Sequence, residues 1–128
     1  MILDASAVAA IFLRLEGYER LVERCAEAGQ LAIAAPSLVE LEAGLAARLG
    51  IDPHPLVARF LQELDVAVVP FGQPHWRAAA DALRRFGEGR HPAALGPADS
   101  LAYAVTRLSR QPLLTASPGL ARTDLDLA

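Results

Sequence analysis

The first six residues, Met1-Ile-Leu-Asp-Ala-Ser6, constrain the fold more than any other stretch. Three apolar residues run without alternation into an acid, and a helical pattern follows. A short apolar run of this kind suits a strand covered on both faces, as in a parallel α/β sheet. Asp4 then stands at the carboxyl end of that strand, where open α/β sheets bind their ligands. Asp is also a favoured helix cap, so position alone leaves both roles open.

The pattern recurs along the chain. Helical spacing runs from Ala5 to about Leu13 and, after Gly17, over Tyr18–Ala28. Leu31–Ala35 reads as the second strand, and Pro36-Ser37 opens a helix that runs through Leu49 to a stop at Gly50. Asp52-Pro53-His54-Pro55 introduces a helix over Leu56–Leu64. Val66–Pro70, β-branched and bounded by turn residues, is the third strand. A helix over Gln73–Phe86, a loop over Gly87–Pro92 and a helix over Ala98–Leu108 lead to a fourth strand at Pro112–Thr115. Leu125–Leu127 reads as a short fifth strand. Strands separated by helices imply right-handed crossovers, a parallel sheet and helices on both faces.

Composition narrows the chemistry. At 128 residues the chain reads as one domain over 1–128, with no repeat or linker. The apolar content is 53%, yet no apolar run approaches the roughly 18 residues a membrane span needs. Ala5–Leu13 lacks a basic flank and follows Asp4, so it does not read as an export signal, and a cytoplasmic protein is expected. The lone Cys25 excludes an internal disulfide and a multi-cysteine zinc site. His54, His75 and His91 have no metal-ligand spacing. All 12 basic residues are Arg. The absence of Lys excludes a P-loop and argues against receiver-type and haloacid-dehalogenase-type folds. A net charge of −3 argues against a general nucleic-acid coat but not against a nuclease with a local Arg patch.

Most acids have ordinary surroundings. Glu16, Glu19, Glu23 and Glu27 lie on the solvent face of one helix, with Arg20 and Arg24 within pairing distance. Glu40 and Asp99 differ, because each lies near a helix start in an otherwise apolar stretch. Glu40 also fits a capping box with Ser37, and Asp99 fits a first-turn acid favoured by the helix dipole. Asp4 and Glu40 each follow a strand, and the fold can bring Asp99 to the same end of the sheet. Clustered carboxylates raise one another's pKa unless a cation neutralises them. Ligation by oxygen alone favours Mg²⁺ or Mn²⁺, and metal-assisted phosphodiester hydrolysis is the reaction class that follows.

Five segments occur in order over nearly the whole chain. They are Met1-Ile-Leu-Asp-Ala-Ser-Ala7, Val39-Glu-Leu41, Phe86-Gly-Glu-Gly-Arg-His-Pro-Ala93, Ala98-Asp-Ser-Leu-Ala-Tyr-Ala104, and Pro112-Leu-Leu114 with Thr123-Asp124 beyond it. In this combination the sequence resembles the PIN-domain family, and in particular its VapC-type toxin ribonucleases. The resemblance implies a three-layer α/β/α fold around a parallel sheet of four to five strands. It implies Asp4, Glu40 and Asp99 as catalytic acids, with Asp4 and Asp99 on a Mg²⁺ or Mn²⁺ ion and the Ser6 hydroxyl close by. It also implies an RNA substrate and a cognate VapB-type antitoxin. The apolar face of Tyr18–Ala28, with Leu21, Val22 and Cys25, either packs in the core or forms a dimer or antitoxin surface, and a homodimer is expected.

One departure stands out. Such toxins usually carry an acid or Asn in a Gly-Asp-Asp-Phe-like turn after the last core strand; here that turn reads Ser117-Pro-Gly-Leu120. Asp124 or Asp126 is a candidate replacement, since the two face one side of an extended segment. The alternative to a nuclease is a degenerate PIN domain that binds RNA or a protein partner without cutting. Arg84, Arg85, Arg90 and His91, adjacent to the Asp99 block, are candidate phosphate contacts. Trp76 and Phe86 fit core positions of their helix.

Overall fold

Two of the four strands are only two residues long, so the sheet depends on what flanks it. The computed structural model describes all 128 residues. Strand β1 is Ile2–Leu3, followed by helices α1 (Ala5–Phe12) and α2 (Tyr18–Glu27). Strand β2 (Leu31–Ala34) leads into α3 (Ala35–Leu49) and α4 (His54–Glu63). Strand β3 (Val66–Val69) precedes α5 (Gln73–Phe86) and α6 (Pro97–Ser109); β4 is Leu113–Leu114 and α7 is Pro118–Ala121.

All pairings are parallel and the spatial order is β3-β2-β1-β4. Ile2 is in register with Ala32 and Leu113, Leu3 with Ile33 and Leu114, and Leu31–Ala34 with Val66–Val69. Successive strand residues point to opposite faces, so neighbours join different cores. Leu3, Ile33 and Leu114 pack with Val8, Cys25, Leu41, Leu45 and Val57 beneath α1–α4. Ile2 and Leu113 pack with Ala82, Phe86, Leu95, Tyr103 and Leu120 beneath α5–α7. Each large side chain fully buried in this way contributes about 2 kcal/mol. The expected three-layer α/β/α fold is present.

Three local expectations change. The fifth strand is a single bridge between Leu113 and Leu127, with Leu113 N donating to Asp126 O and Ala128 N donating to Leu113 O, both at 2.9 Å. Ser117-Pro-Gly-Leu120 makes a turn of helix that apolar periodicity is too short to reveal. Trp76 is 56% exposed rather than in the core, because burial along α5 begins one turn later, at Ala79. Phe86 is buried as expected, between His91 and Tyr103. No helix is long and apolar enough to cross a membrane.

Helix α5 ends at Gly87, whose N–H donates to Leu83 O at 3.0 Å. A Cβ at this position would run into that same carbonyl oxygen. Gly87→Ala therefore forces the backbone to shift and is expected to cost about 1–3 kcal/mol. A thermal or urea melt checks this; an unchanged midpoint would show that the turn relaxes freely.

Candidate active site

The chain runs from β1 outward to β2 and β3, then returns to add β4 on the other side of β1. A reversal of this kind leaves a crevice at the carboxyl ends of the strands that diverge, here β1 and β4. Asp4 follows β1 directly, and its N–H donates to Leu114 O at 3.0 Å, continuing the ladder by one step. Extended backbone at Asp4 (φ −92°, ψ 150°) lets it cap α1, its Oδ2 accepting from Ser6 N at 3.3 Å. Capping and site-building thus coexist in one residue.

Asp4 is 2% exposed. A carboxylate at that depth needs hydrogen bonds. Its Oδ2 accepts from the Ser6 hydroxyl and from Thr115 Oγ1 at 3.0 Å, and Ser6 Oγ in turn accepts from Ala116 N at 3.0 Å. None of these bonds uses Oδ1.

Asp99 lies in the first turn of α6. Ser117 Oγ donates to its Oδ2 at 3.1 Å while accepting from Leu120 N at 3.3 Å as the cap of α7. Asp99 Oδ1 is likewise uncommitted by hydrogen bonds. The approach of α7 requires Gly119, where a Cβ would come within 2.8 Å of Ala93 O and 3.2 Å of Asp99 Oδ2. Glu40, on the second turn of α3, is the most exposed of the three acids. The capping-box reading of Ser37 and Glu40 does not hold. The helix begins at Ala35 with Ala34 as its cap, and Ser37 is buried with its hydroxyl unpartnered.

Burial raises the Glu40 pKa above the ordinary carboxylate range, and the charges of Asp4 and then Asp99 raise it further. Burial also raises Asp99; the Ser117 hydrogen bond opposes this and Asp4 adds to it. Glu40 therefore senses the charges of Asp4 and Asp99, and Asp99 senses that of Asp4. No three acidic, His or Cys side chains close on one point as a finished ion shell. The donor chemistry nevertheless suits a hard divalent ion: all oxygen, mutually repelling, with one oxygen of Asp4 and of Asp99 left free.

Asp124 and Asp126 do not join this set. Asp124 accepts from Tyr103 OH at 2.8 Å and lies 3.4 Å from Arg85 and 3.9 Å from Arg107. Burial alone would raise its pKa; the Tyr103 bond and the two guanidinium groups outweigh that and lower it. Asp124 thus fastens the C-terminal segment to α5 and α6. Asp126 lines a polar hollow with Arg107, Arg110 and Gln111, toward the amino end of β4. The basic group is also partly engaged: Arg84 and Arg85 pair with Asp81, and Arg90 donates to Arg84 O at 3.3 Å. His91 Nδ1 accepts from Ala93 N at 3.0 Å.

Thr115 and Ser117 escaped the sequence reading. The available signal was their position just beyond an apolar strand in a sheet that collects ligands there.

A raised carboxyl pKa means that the folded state holds the proton more tightly than the unfolded one. Its stabilising contribution is full below the unfolded pKa, about 4, and is lost as pH rises through the folded value. Asp99→Asn removes that loss. In EDTA its thermal midpoint should gain on the wild type as pH rises from about 4, levelling once the folded Asp99 is ionised. A gap that does not change with pH would contradict the described electrostatics of Asp99.

The PIN domain family model matches residues 1–125. A VapC ribonuclease of Mycobacterium bovis is 35% identical over 127 residues, covering 98% of this chain and 91% of its own length. Among solved structures, Mycobacterium tuberculosis VapC20, titled a sarcin-ricin loop cleaving toxin, superposes with a TM-score of 0.80 at 17% identity, covering 99% of this chain and 97% of that one. A toxin–antitoxin complex from Klebsiella pneumoniae gives a TM-score of 0.64 at 17% identity, over 89% of this chain and 83% of that one. A family model spanning nearly the whole sequence, and a relative of this identity and coverage, establish that the chain belongs to the PIN-domain family, alongside its VapC ribonucleases.

Proposed function

We propose that this chain is a Mg²⁺- or Mn²⁺-dependent endoribonuclease, acting as one domain in the cytoplasm as the toxin of a toxin–antitoxin pair. The reading is supported by the run Thr115–Ser117 beyond β4, which hydrogen-bonds both Asp4 at the end of β1 and Asp99 on α6, while the charges of both acids act on Glu40. The ribonuclease names of its relatives and the toxin it resembles in fold support the RNA substrate.

Asp4 and Asp99 would hold the ion, and Glu40 would complete the acidic set. A divalent ion bound there supplies charge stabilisation to the phosphodiester. Ser6 and Thr115 keep the Asp4 carboxylate in one orientation. Glu40, the most exposed of the three acids, is placed to accept the proton of the attacking water. That water adds to phosphorus as the bond to the leaving ribose oxygen breaks, and the departing oxygen takes up a proton from solvent. Arg90 and His91, on the loop beside Asp99, contact the RNA backbone by charge and hydrogen bonds without reading sequence.

A VapB-type antitoxin and a second copy of the chain are the protein partners in this reading. The toxin–antitoxin complex with a similar fold supports the first. Exposed apolar side chains, including Val39 at 72% and Ile51 at 56%, supply surface for both.

Purified protein with Mn²⁺ is expected to cleave RNA, with Asp4→Asn and Asp99→Asn inactive and Glu40→Gln slowed by roughly 10²–10⁴-fold. EDTA should abolish the cleavage. The acid-free turn at Ser117–Leu120 favours a second reading, a PIN domain that binds RNA without cutting it. Folded wild-type protein that retains RNA in a gel shift, yet leaves it intact with Mn²⁺, would select that reading.

A further inference from the structure

The segment leaving β4 threads between two of the acids. Thr115 Oγ1 donates to Asp4 Oδ2 at 3.0 Å and accepts from Ser117 N at 2.9 Å. Two residues on, Ser117 Oγ donates to Asp99 Oδ2 at 3.1 Å. One short run, Thr115-Ala-Ser117, therefore gives each acid a hydroxyl, and each acid gives up Oδ2 while keeping Oδ1.

The Ser117 hydroxyl cannot turn freely. Its oxygen accepts from Leu120 N at 3.3 Å, which directs the O–H toward Asp99. Gly119 lets this turn of helix close against Asp99, and Leu120 is fully buried beneath it. Ser117 adds no charge. Asp124 is committed to Tyr103, Arg85 and Arg107, and Asp126 lines a different hollow, so the carboxylates at the crevice are Asp4, Glu40 and Asp99. Three negative charges more than match one divalent cation and fall short of two.

We propose that Ser117 is a positioning residue that fixes the Asp99 carboxylate by holding its Oδ2. A neutral hydroxyl at this point, where a fourth carboxylate would extend the acidic set, limits the centre to one divalent ion per chain. This inference rests on the metal-dependent reading above.

Mn²⁺ titrated into the intact chain, followed by calorimetry and by the electron paramagnetic resonance of free Mn²⁺, tests it without measuring cleavage. The wild type should bind one ion per chain. Ser117→Ala should keep that stoichiometry and bind roughly 10–100-fold more weakly, the usual cost of losing a group that orients a metal ligand. Ser117→Thr, which keeps the hydroxyl, should recover most of the affinity. Ser117→Asp keeps a capping oxygen for α7 and adds a carboxylate beside Asp99, so it should take up a second ion. Circular dichroism establishes that each variant is folded; if Ser117→Ala is not, the Thr and Asp variants decide. Two ions on the wild type, undiminished affinity in Ser117→Ala, weak binding by a folded Ser117→Thr, or a single ion on Ser117→Asp would each overturn the inference. Wild type that binds no Mn²⁺ at all would instead overturn the metal-dependent reading beneath it.

Discussion

The pairing of β1 with β4 is the constraint on which the rest of the structure depends. Each strand is two residues long, and the pairing joins the first residues of the chain to residues more than a hundred positions later. Closing so long a loop costs entropy that a two-residue ladder does not offset alone. The contact persists because Ile2, Leu3, Leu113 and Leu114 are each nearly fully buried, two facing each core. Without it Asp4 loses its anchor on Leu114, Thr115 loses Asp4, and Ser117 loses the geometry that brings it to Asp99. The crevice is thus a by-product of core packing, and the acids are fitted into it.

That arrangement carries a tension. Glu40 and Asp99 are both pushed toward their protonated forms, by burial first and then by neighbouring negative charge. The Ser117 hydroxyl relieves some of it at Asp99 by hydrogen bonding without adding charge. A site of this kind stores unfavourable electrostatics that a bound cation would relieve, trading stability of the bare chain for affinity. Asp124 shows the opposite solution: the same residue type, held by a phenol and two guanidinium groups, has its pKa lowered and ties structure together.

The sequence announced the architecture because apolar runs, Gly and Pro stops and helical spacing are local signals. Helix α5 has the bounds its sequence pattern predicts, and α1–α4 and α6 match theirs to within about two residues, the usual scatter of helix ends; α7 has no such signal. Asp4, Glu40 and Asp99 are singled out for a similar reason, as charges standing in apolar stretches. What stayed hidden depends on distant contacts. Nothing local in Leu125–Leu127 says that it can form one bridge and no more. Nothing local in Trp76 says that its turn of α5 is left uncovered. Ser117 looked like a gap in the acidic pattern, and only its bond to Asp99 gives it a place in the site.

The bridge at Leu113 has a consequence for how the sheet can meet other sheets. Both backbone groups of Leu113 that face outward from β4 are taken by the tail, through Asp126 O and Ala128 N. The opposite edge, β3, has no such cover, and Ala67 and Val68 lie exposed along it. Unpaired strand edges are templates for further strands, and a chain with two of them can extend into a fibre. With one edge closed at Leu113, joining through the other uses up both free edges at once. The bridge at Leu113 thus leaves β3 as the edge open to a further strand.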